Sequence, residues 1–272
     1  MGFSFVPLCG KTWRQKNESA KNRSAPRIPV FHIPHTGDLF PDELMESVCI
    51  SSEDFFACHG QMKDAGATML TEYGYQVEPV TIVFPFSRLL CDVERFIGPE
   101  EVMERYGMGF CYEKAFDGRR IKNVNDGLLE KTMKYYLAHH ERLDTAVSHF
   151  QRVLLLDLHS FSEELVMPDR RDDRPMPEIC IGSDPVFTPS ALEKAAFSLF
   201  LSAGFSVAVN YPYEGSLVPN AVLHGRIGCD LITLMIEMNR AAIFGENGEV
   251  LPERIARICE ITDRLIGLSQ AL

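Results

Sequence analysis

Apolar runs typical of strands alternate along this chain with stretches whose apolar residues recur at helical spacing. The predicted strands cover residues 28–33, 77–84, 153–158, 178–182, 205–209 and 231–238. The predicted helices cover residues 53–72, 128–150, 190–203 and 252–268. Strands that alternate with helices in this way predict an α/β protein with three layers, α/β/α, around a mixed and largely parallel sheet.

The first 27 residues do not share this pattern. Residues 10–27 are polar and basic and lack periodicity. We therefore expect residues 1–27 to form an N-terminal surface arm and residues 28–272 to form a single α/β domain. The net charge is −11, from 27 basic and 38 acidic side chains. Because nucleic-acid binding needs a concentrated positive surface, this balance argues against nucleic acid as a partner.

Composition also indicates the compartment. No apolar run approaches the roughly 20 residues that span a bilayer, and the start of the chain lacks the pattern of a signal peptide. The eight cysteines are scattered and include no Cys-x-x-Cys pair, which favours buried, reduced thiols over a disulfide framework. We expect a cytoplasmic protein without a membrane partner, and the sequence leaves its oligomeric state open.

Two strand ends carry histidine close to aspartate. The strand at residues 153–158 leads into Asp157 and His159, which face the same side of the sheet because they are two apart. The first strand leads into His35 and Asp38, and a tight turn between them would let both reach one cation. Open α/β sheets bind ligands at the carboxyl ends of their strands. The alternative at each position is a capped strand end or turn whose polar groups bond to the backbone.

Two further clusters place charge among apolar residues. Residues 87–96 contain two arginines and two carboxylates, namely Arg88, Asp92, Glu94 and Arg95. They indicate either a surface ion-pair strand or arginines that polarise a carbonyl and bind a substrate carboxylate. Glu237 stands alone in the apolar run at 234–238. Glu237 lies either on the solvent-exposed face of an edge strand or in a buried position, where it would act as a general base with a perturbed pKa.

Together these clusters resemble the N-formylglutamate amidohydrolase family, which belongs to the zinc carboxypeptidase-like hydrolases and is related to aspartoacylase. The motifs that carry the resemblance are Pro34-His35-Thr36-Gly37, Ser87-Arg88, Asp92-Val93-Glu94-Arg95, Asp157-Leu158-His159-Ser160, Asn210-Tyr211-Pro212-Tyr213-Glu214-Gly215 and Ile236-Glu237-Met238-Asn239-Arg240. They follow the family's order, so the resemblance implies a zinc carboxypeptidase-like fold.

The resemblance also implies a site with Zn²⁺ as cofactor. The implied metal ligands are His35, Asp38 and His159. The implied catalytic residues are Arg88, which polarises the scissile carbonyl, and Glu237, which activates the attacking water. The implied substrate-binding residues are Glu94, Arg95, Asn210 and Tyr213, with Arg95 gripping the substrate's carboxylate.

The expected function is zinc-dependent hydrolysis of the amide bond of an N-acyl amino acid such as N-formylglutamate. One residue departs from the family pattern, because related enzymes tend to have asparagine where this chain has Glu94. A carboxylate cannot donate to a substrate carboxylate as an amide can, and Glu94 could instead neutralise Arg95. The alternatives are a carboxypeptidase-like metallopeptidase acting on small peptides, and a metal-binding homologue without catalysis.

Overall fold

A mixed six-stranded sheet forms the centre of the computed structural model, which describes residues 25–98 and 100–272. The strands are β1 (Ile28–Ile33), β2 (Val80–Val83), β3 (Arg152–Phe161), β4 (Ile179–Gly182), β5 (Val207–Val209) and β6 (Asp230–Asn239). Their order across the sheet is β2-β1-β3-β6-β4-β5. The first four strands in this order are parallel, whereas β4 pairs antiparallel with β6 and parallel with β5.

Helices cover both faces of the sheet. They are α1 (Ser52–Met62), α2 (Asp126–Ser148), α3 (Ser190–Ser202), α4 (Asn220–Leu223), α5 (Arg240–Ile243) and α6 (Pro252–Ser269). Successive side chains of β3 point to opposite faces, so Leu154 and Leu156 pack with α3 and α6, whereas Val153 and Leu155 pack with α2. The prediction of a three-layer α/β/α fold with a mixed, largely parallel sheet is confirmed.

The first predicted helix is shorter than its periodicity indicated. α1 ends at Met62, and a separate 3₁₀ helix covers Ala67–Glu72. Between them Gly66 has a φ of +89°, a left-handed conformation that interrupts a helix. A Cβ at Gly66 would also lie 2.8 Å from the side chain of Ile243. The break places Asp64 in a tight loop instead of on a helix surface.

The boundary of the predicted N-terminal arm needs a correction at its last residue. Residues 1–24 lie outside the described part of the chain, but Arg27 is fully buried. Its guanidinium donates to the carbonyls of Ser269 (3.1 Å) and Val153 (3.1 Å) and to the carboxylate of Asp230 (3.0 Å). Arg27 is therefore part of the packed structure, because these contacts join β3, β6 and α6.

Two findings bear on the expected compartment. Among the described residues, no helix is long and apolar enough to cross a membrane. Seven cysteines lie in that part of the chain, all of them free thiols, and only Cys49 is exposed.

We predict that Arg27→Met lowers the free energy of unfolding by about 3 kcal/mol, because it leaves buried carbonyls and a carboxylate without their donor. Urea titration followed by circular dichroism measures the change. Arg257→Met is the matched control, since Arg257 is exposed and its guanidinium donates only to the carbonyl of Ala203 (3.0 Å). Equal stability of the two variants would show that the Arg27 contacts do not hold the strands and α6 together.

Candidate active site

The carboxyl ends of three parallel strands open into one large cavity. His35 follows β1, His159 lies near the end of β3, and Glu237 lies near the end of β6. His159 and Glu237 are direct neighbours in the register of β3 and β6. The cavity has a volume of about 1430 Å³ and is lined by all three residues. It occupies the position where open α/β sheets bind their ligands.

Three buried side chains converge at the floor of this cavity. The Nδ1 atom of His159 lies 2.9 Å from Oδ2 of Asp64, and Nδ1 of His35 lies 3.5 Å from the same oxygen. One donor atom from each residue lies within 4.8 Å of the others. The backbone N–H of Asp64 donates to the carbonyl of His35 (2.9 Å), which holds the loop against the end of β1. Two imidazoles and a carboxylate are a ligand set typical of catalytic zinc.

Each of the two histidines is backed by a second carboxylate. Nε2–H of His35 donates to Asp92 (2.8 Å), and Nε2 of His159 makes an ion-pair contact with Asp157 at 3.1 Å. A proton held on Nε2 leaves the lone pair of Nδ1 free to bind a metal. Asp92 therefore fixes the orientation and the tautomer of His35, and the contact with Asp157 favours the same arrangement for His159.

Asp157 is itself held by two further donors. Nδ1–H of His32 donates to its Oδ1 (2.8 Å), and the backbone N–H of Leu217 donates to its Oδ2 (3.1 Å). Nε2 of His32 lies 2.8 Å from Nε2 of His139 on α2. Since Nδ1 of His32 is the donor to Asp157, Nε2 of a neutral His32 accepts from His139. His32 thus supports the site from behind and does not face Asp64.

The charges around the two histidines favour a cation. Burial lowers the pKa of His159, but Glu94 and Asp157 outweigh it and hold that pKa well above its usual value. Burial and Arg88 lower the pKa of His35, and Asp92 and Asp64 more than compensate. The surrounding carboxylates therefore favour positive charge at the two histidines, which suits the binding of a divalent cation.

Two other acidic groupings share these residues, namely His32 with Glu94 and Asp157, and His35 with Asp92 and Glu94. Both depend on carboxylates that already accept hydrogen bonds. Asp92 accepts from Arg88 and from the hydroxyl of Tyr112, each at 2.8 Å. The group with Asp64 is therefore the stronger candidate, because its Nδ1 atoms have no other hydrogen-bond partner among the described residues.

Asp38 does not join this group, which corrects the expected ligand set. Its side chain is 67% exposed and accepts from Lys63 (2.7 Å) and from His59 (2.8 Å). These donors lower the pKa of Asp38. Asp64, which the sequence reasoning missed, supplies the carboxylate instead. The only local signal for it is the glycine two residues later, which ends the helical pattern.

The two arginines that were expected to act on the substrate lie beside the centre. The Nη atoms of Arg88 donate to Asp92 (2.8 Å) and to Asp64 (3.3 Å), and its Nε is buried without a hydrogen-bond partner among the described residues. Nε of Arg95 lies 3.7 Å from Asp92. Arg88 thus fixes two carboxylates of the site, while Arg95 borders the cavity.

Glu94 faces the histidines and not Arg95. Its carboxylate oxygens lie 3.4 Å from Nε2 of His159 and 3.5 Å from Nε2 of His35. Within the described part of the chain, Glu94 and Arg95 form no ion pair, so the idea that Glu94 neutralises Arg95 finds no support in the geometry. Arg95 contacts Asp92 through Nε, but its Nη groups donate to no group among the described residues, so they can bind an anionic ligand.

Glu237 lies on an inner strand and is only 6% exposed, which excludes the wet face of an edge strand. Burial raises the pKa of Glu237 to about 8; His159 opposes this shift, and Asp64 and Glu94 add to it. A carboxyl group whose pKa lies near neutral pH can both take up and release a proton, which suits a general acid and base.

The turn at residues 210–215 contributes one of its two expected residues. Tyr213 lines the cavity and packs edge-to-face on Phe161, with ring centroids 5.6 Å apart. Asn210 lies outside the cavity, which corrects its expected role in substrate binding. Its Oδ1 accepts from the backbone N–H groups of Ser183 (2.9 Å) and Gly215 (3.2 Å), so the side chain stabilises the turn.

The fold and this site define a class: an α/β protein with a histidine–carboxylate centre on the floor of a cavity, as found in metal-dependent hydrolases. A model of the N-formylglutamate amidohydrolase family matches residues 29–244. The chain belongs to this family, and it is accordingly a hydrolase that acts on amide C–N bonds.

Solved structures show the same fold. An N-formylglutamate amidohydrolase from Ralstonia eutropha JMP134 is 19% identical, with a TM-score of 0.72 over 91% of this chain and 95% of that one. A protein from Agrobacterium tumefaciens is 20% identical, with a TM-score of 0.62 over 92% of each chain. No curated protein sequence matched the chain.

We predict that Asp64→Ala lowers the affinity for a divalent cation such as Zn²⁺ by at least about 100-fold, because it removes one of three ligands. Asp38→Ala is the matched control and should change that affinity less than about twofold. Metal content by mass spectrometry and chelator competition give the two affinities. Stoichiometric metal in folded Asp64→Ala protein would contradict the assignment.

Asp157→Asn should weaken metal binding about 10- to 100-fold, because the amide is uncharged and has one oxygen where the carboxylate uses two, Oδ1 towards His32 and His159 and Oδ2 towards the N–H of Leu217. Asp144→Asn is a suitable control, since Asp144 is partly buried and accepts from Ala221 and Arg226 away from the site. The same chelator competition distinguishes them. Unchanged affinity in Asp157→Asn would mean that the backing carboxylate does not orient His159.

Proposed function

We propose that this chain is a zinc-dependent amidohydrolase that cleaves the amide bond of an N-formyl or other N-acyl amino acid. The observation that carries the proposal is the convergence of His35, Asp64 and His159 next to the buried Glu237, whose pKa of about 8 lets it both take up and release a proton near neutral pH. A small-molecule substrate is in keeping with the family. The scattered free cysteines support action in the cytoplasm.

The residues present fit a zinc ion on the chemistry of their donors. His35 and His159 would bind through Nδ1 and Asp64 through a carboxylate oxygen, which leaves a fourth position for water or substrate. Zinc bound there would lower the pKa of a water to about 7 and polarise the scissile carbonyl. The hydrogen bond from His35 to Asp92 and the ion-pair contact of His159 with Asp157 would keep both rings oriented for that role.

The remaining steps belong to residues of this chain. Glu237 accepts a proton from the attacking water and passes it to the nitrogen of the leaving amine. Arg88 borders the centre with an uncommitted Nε–H that can donate to the oxyanion. Arg95 binds the substrate's carboxylate by charge-assisted hydrogen bonds. The products are an amino acid and formate or another carboxylate.

The peptidase alternative gains one supporting observation, because a cavity of about 1430 Å³ has room for a short peptide. Hydrolysis of dipeptides by protein that leaves N-formyl amino acids intact would favour it. The alternative of a metal-binding homologue without catalysis rested on Glu94 and on the weak third ligand, and it loses the second of these because Asp64 is positioned to bind a metal where Asp38 is not.

We predict that Glu237→Gln lowers kcat for N-formyl amino acids by at least about 10²-fold while zinc stays bound, because the proton acceptor is lost and the metal ligands are not. Formate release and zinc content are measured on the same samples. Glu214→Gln is the matched control, since Glu214 also lines the cavity but is exposed. Full activity of Glu237→Gln would refute the assigned role.

A further inference from the structure

The cavity extends beyond the histidine–carboxylate centre into an apolar region. Its volume of about 1430 Å³ exceeds the ~300–1000 Å³ of ordinary small-molecule sites. We define the apolar lobe as the part of the cavity lined by Phe96, Ile97, Met133, Tyr136, Leu137 and Leu223. A substrate as small and polar as N-formylglutamate would leave this lobe unfilled.

Four of the six side chains of the apolar lobe are unusually exposed for their type. Phe96 is 60% exposed and Leu137 is 56% exposed, and Ile97 and Leu223 also rank among the exposed large hydrophobic residues. Exposed apolar surface that is continuous with a site is typical of a binding surface. The apolar lobe is continuous with the histidine–carboxylate centre, so we expect part of the substrate itself to occupy the lobe.

Arg95 connects the lobe to the reacting groups. Phe96 and Ile97 follow Arg95 directly in the chain, and the hydroxyl of Tyr136 donates to the carbonyl of Arg95 (3.2 Å). Nε of Arg95 makes no hydrogen bond within the described residues. A carboxylate bound to this guanidinium would therefore have its side chain next to the apolar lobe.

None of the six residues that define the apolar lobe carries a positive charge that could bind a second carboxylate. His140 also borders the cavity, but burial lowers its pKa to about 4, so it is neutral and its Nε2–H donates to the carbonyl of Val93 (2.8 Å). Arg226 pairs with Asp144 at 3.4 Å. Glu94, next to Arg95, would repel an acidic side chain.

Three further arginines line the cavity, and none of them belongs to the apolar lobe. Arg88 donates to Asp92 and Asp64. The guanidinium of Arg240 donates to the carbonyl of Lys63, and that of Arg170 lies 5.7 Å from the ring centroid of Tyr213. Within the described residues, Arg95 is thus the arginine beside the apolar lobe that can bind a substrate carboxylate, and it can bind one.

We propose that the substrate is an N-acyl derivative of a large apolar amino acid, such as leucine, methionine or phenylalanine. Its carboxylate binds Arg95 and its side chain fills the apolar lobe. This inference rests on the proposed amidohydrolase function and names its substrate class.

The first test compares substrates with the zinc-loaded enzyme. We expect kcat/KM for N-formyl-leucine, N-formyl-methionine and N-formyl-phenylalanine to exceed that for N-formylglutamate and N-formylalanine by at least about tenfold, since a filled apolar pocket typically discriminates by 10- to 200-fold. Binding of the same compounds to zinc-loaded Glu237→Gln, measured by calorimetry, should follow the same order.

A pair of exposed leucines provides matched variants. Leu137→Ser should lower kcat/KM for N-formyl-leucine about fivefold and leave N-formylalanine within about twofold, because only the larger side chain reaches the lobe. Leu201 is similarly exposed at 53%, lies on α3 and does not line the cavity. Leu201→Ser should leave both substrates unchanged.

Leu137→Arg tests the inference by a gain of activity towards one substrate, which loss of folding cannot produce. A cation in the lobe should raise the ratio of kcat/KM for N-formylglutamate over N-formyl-leucine by at least about tenfold. A preference of the unmodified enzyme for N-formylglutamate, or equal effects of Leu137→Ser on all substrates, would overturn the inference while the amidohydrolase function stands. Failure to hydrolyse any N-acyl amino acid would instead overturn the proposed function and the inference with it.

Discussion

The pairing of His35 with Asp92 and of His159 with Asp157 is the interaction on which the rest of the site depends. Buried carboxylates cost several kcal/mol each unless donors or cations compensate them. Here His35 donates a hydrogen bond to Asp92, and His159 makes an ion-pair contact with Asp157. Because Nε2 of each ring faces one of these carboxylates, Nδ1 of each ring faces Asp64. The geometry that suits a cation thus follows from the need to compensate buried charge.

The sheet positions some of these groups, and irregular loops position the others. Parallel β1, β3 and β6 bring His35, His159 and Glu237 to one edge, and the register of β3 and β6 sets His159 beside Glu237. Asp92 comes from a loop without regular structure and is ordered by the donors that surround it. Arg88 bonds to both Asp92 and Asp64, so it couples the loop to the centre.

Sequence patterns identified the layers of the fold, because strand and helix periodicities reflect burial along a single segment. They also drew attention to Glu237, since a lone carboxylate in an apolar strand is costly without a purpose. Asp64 escaped notice because it meets His159 across 95 residues, and no local spacing records that contact. Asp38 was favoured because spacing shows which residues could meet within a turn, but Lys63 and His59 draw it outwards.

Glu94 ties metal binding to substrate choice. Its carboxylate lies within 3.5 Å of Nε2 of both His35 and His159, so it adds negative charge next to the position of a cation. The same charge disfavours an anionic group that approaches the centre beside it. Under the proposed function, a substrate carboxylate would therefore bind Arg95, on the border of the apolar lobe, and an acidic side chain would gain nothing from entering further. One glutamate thus favours both a bound cation and a substrate with a single negative charge.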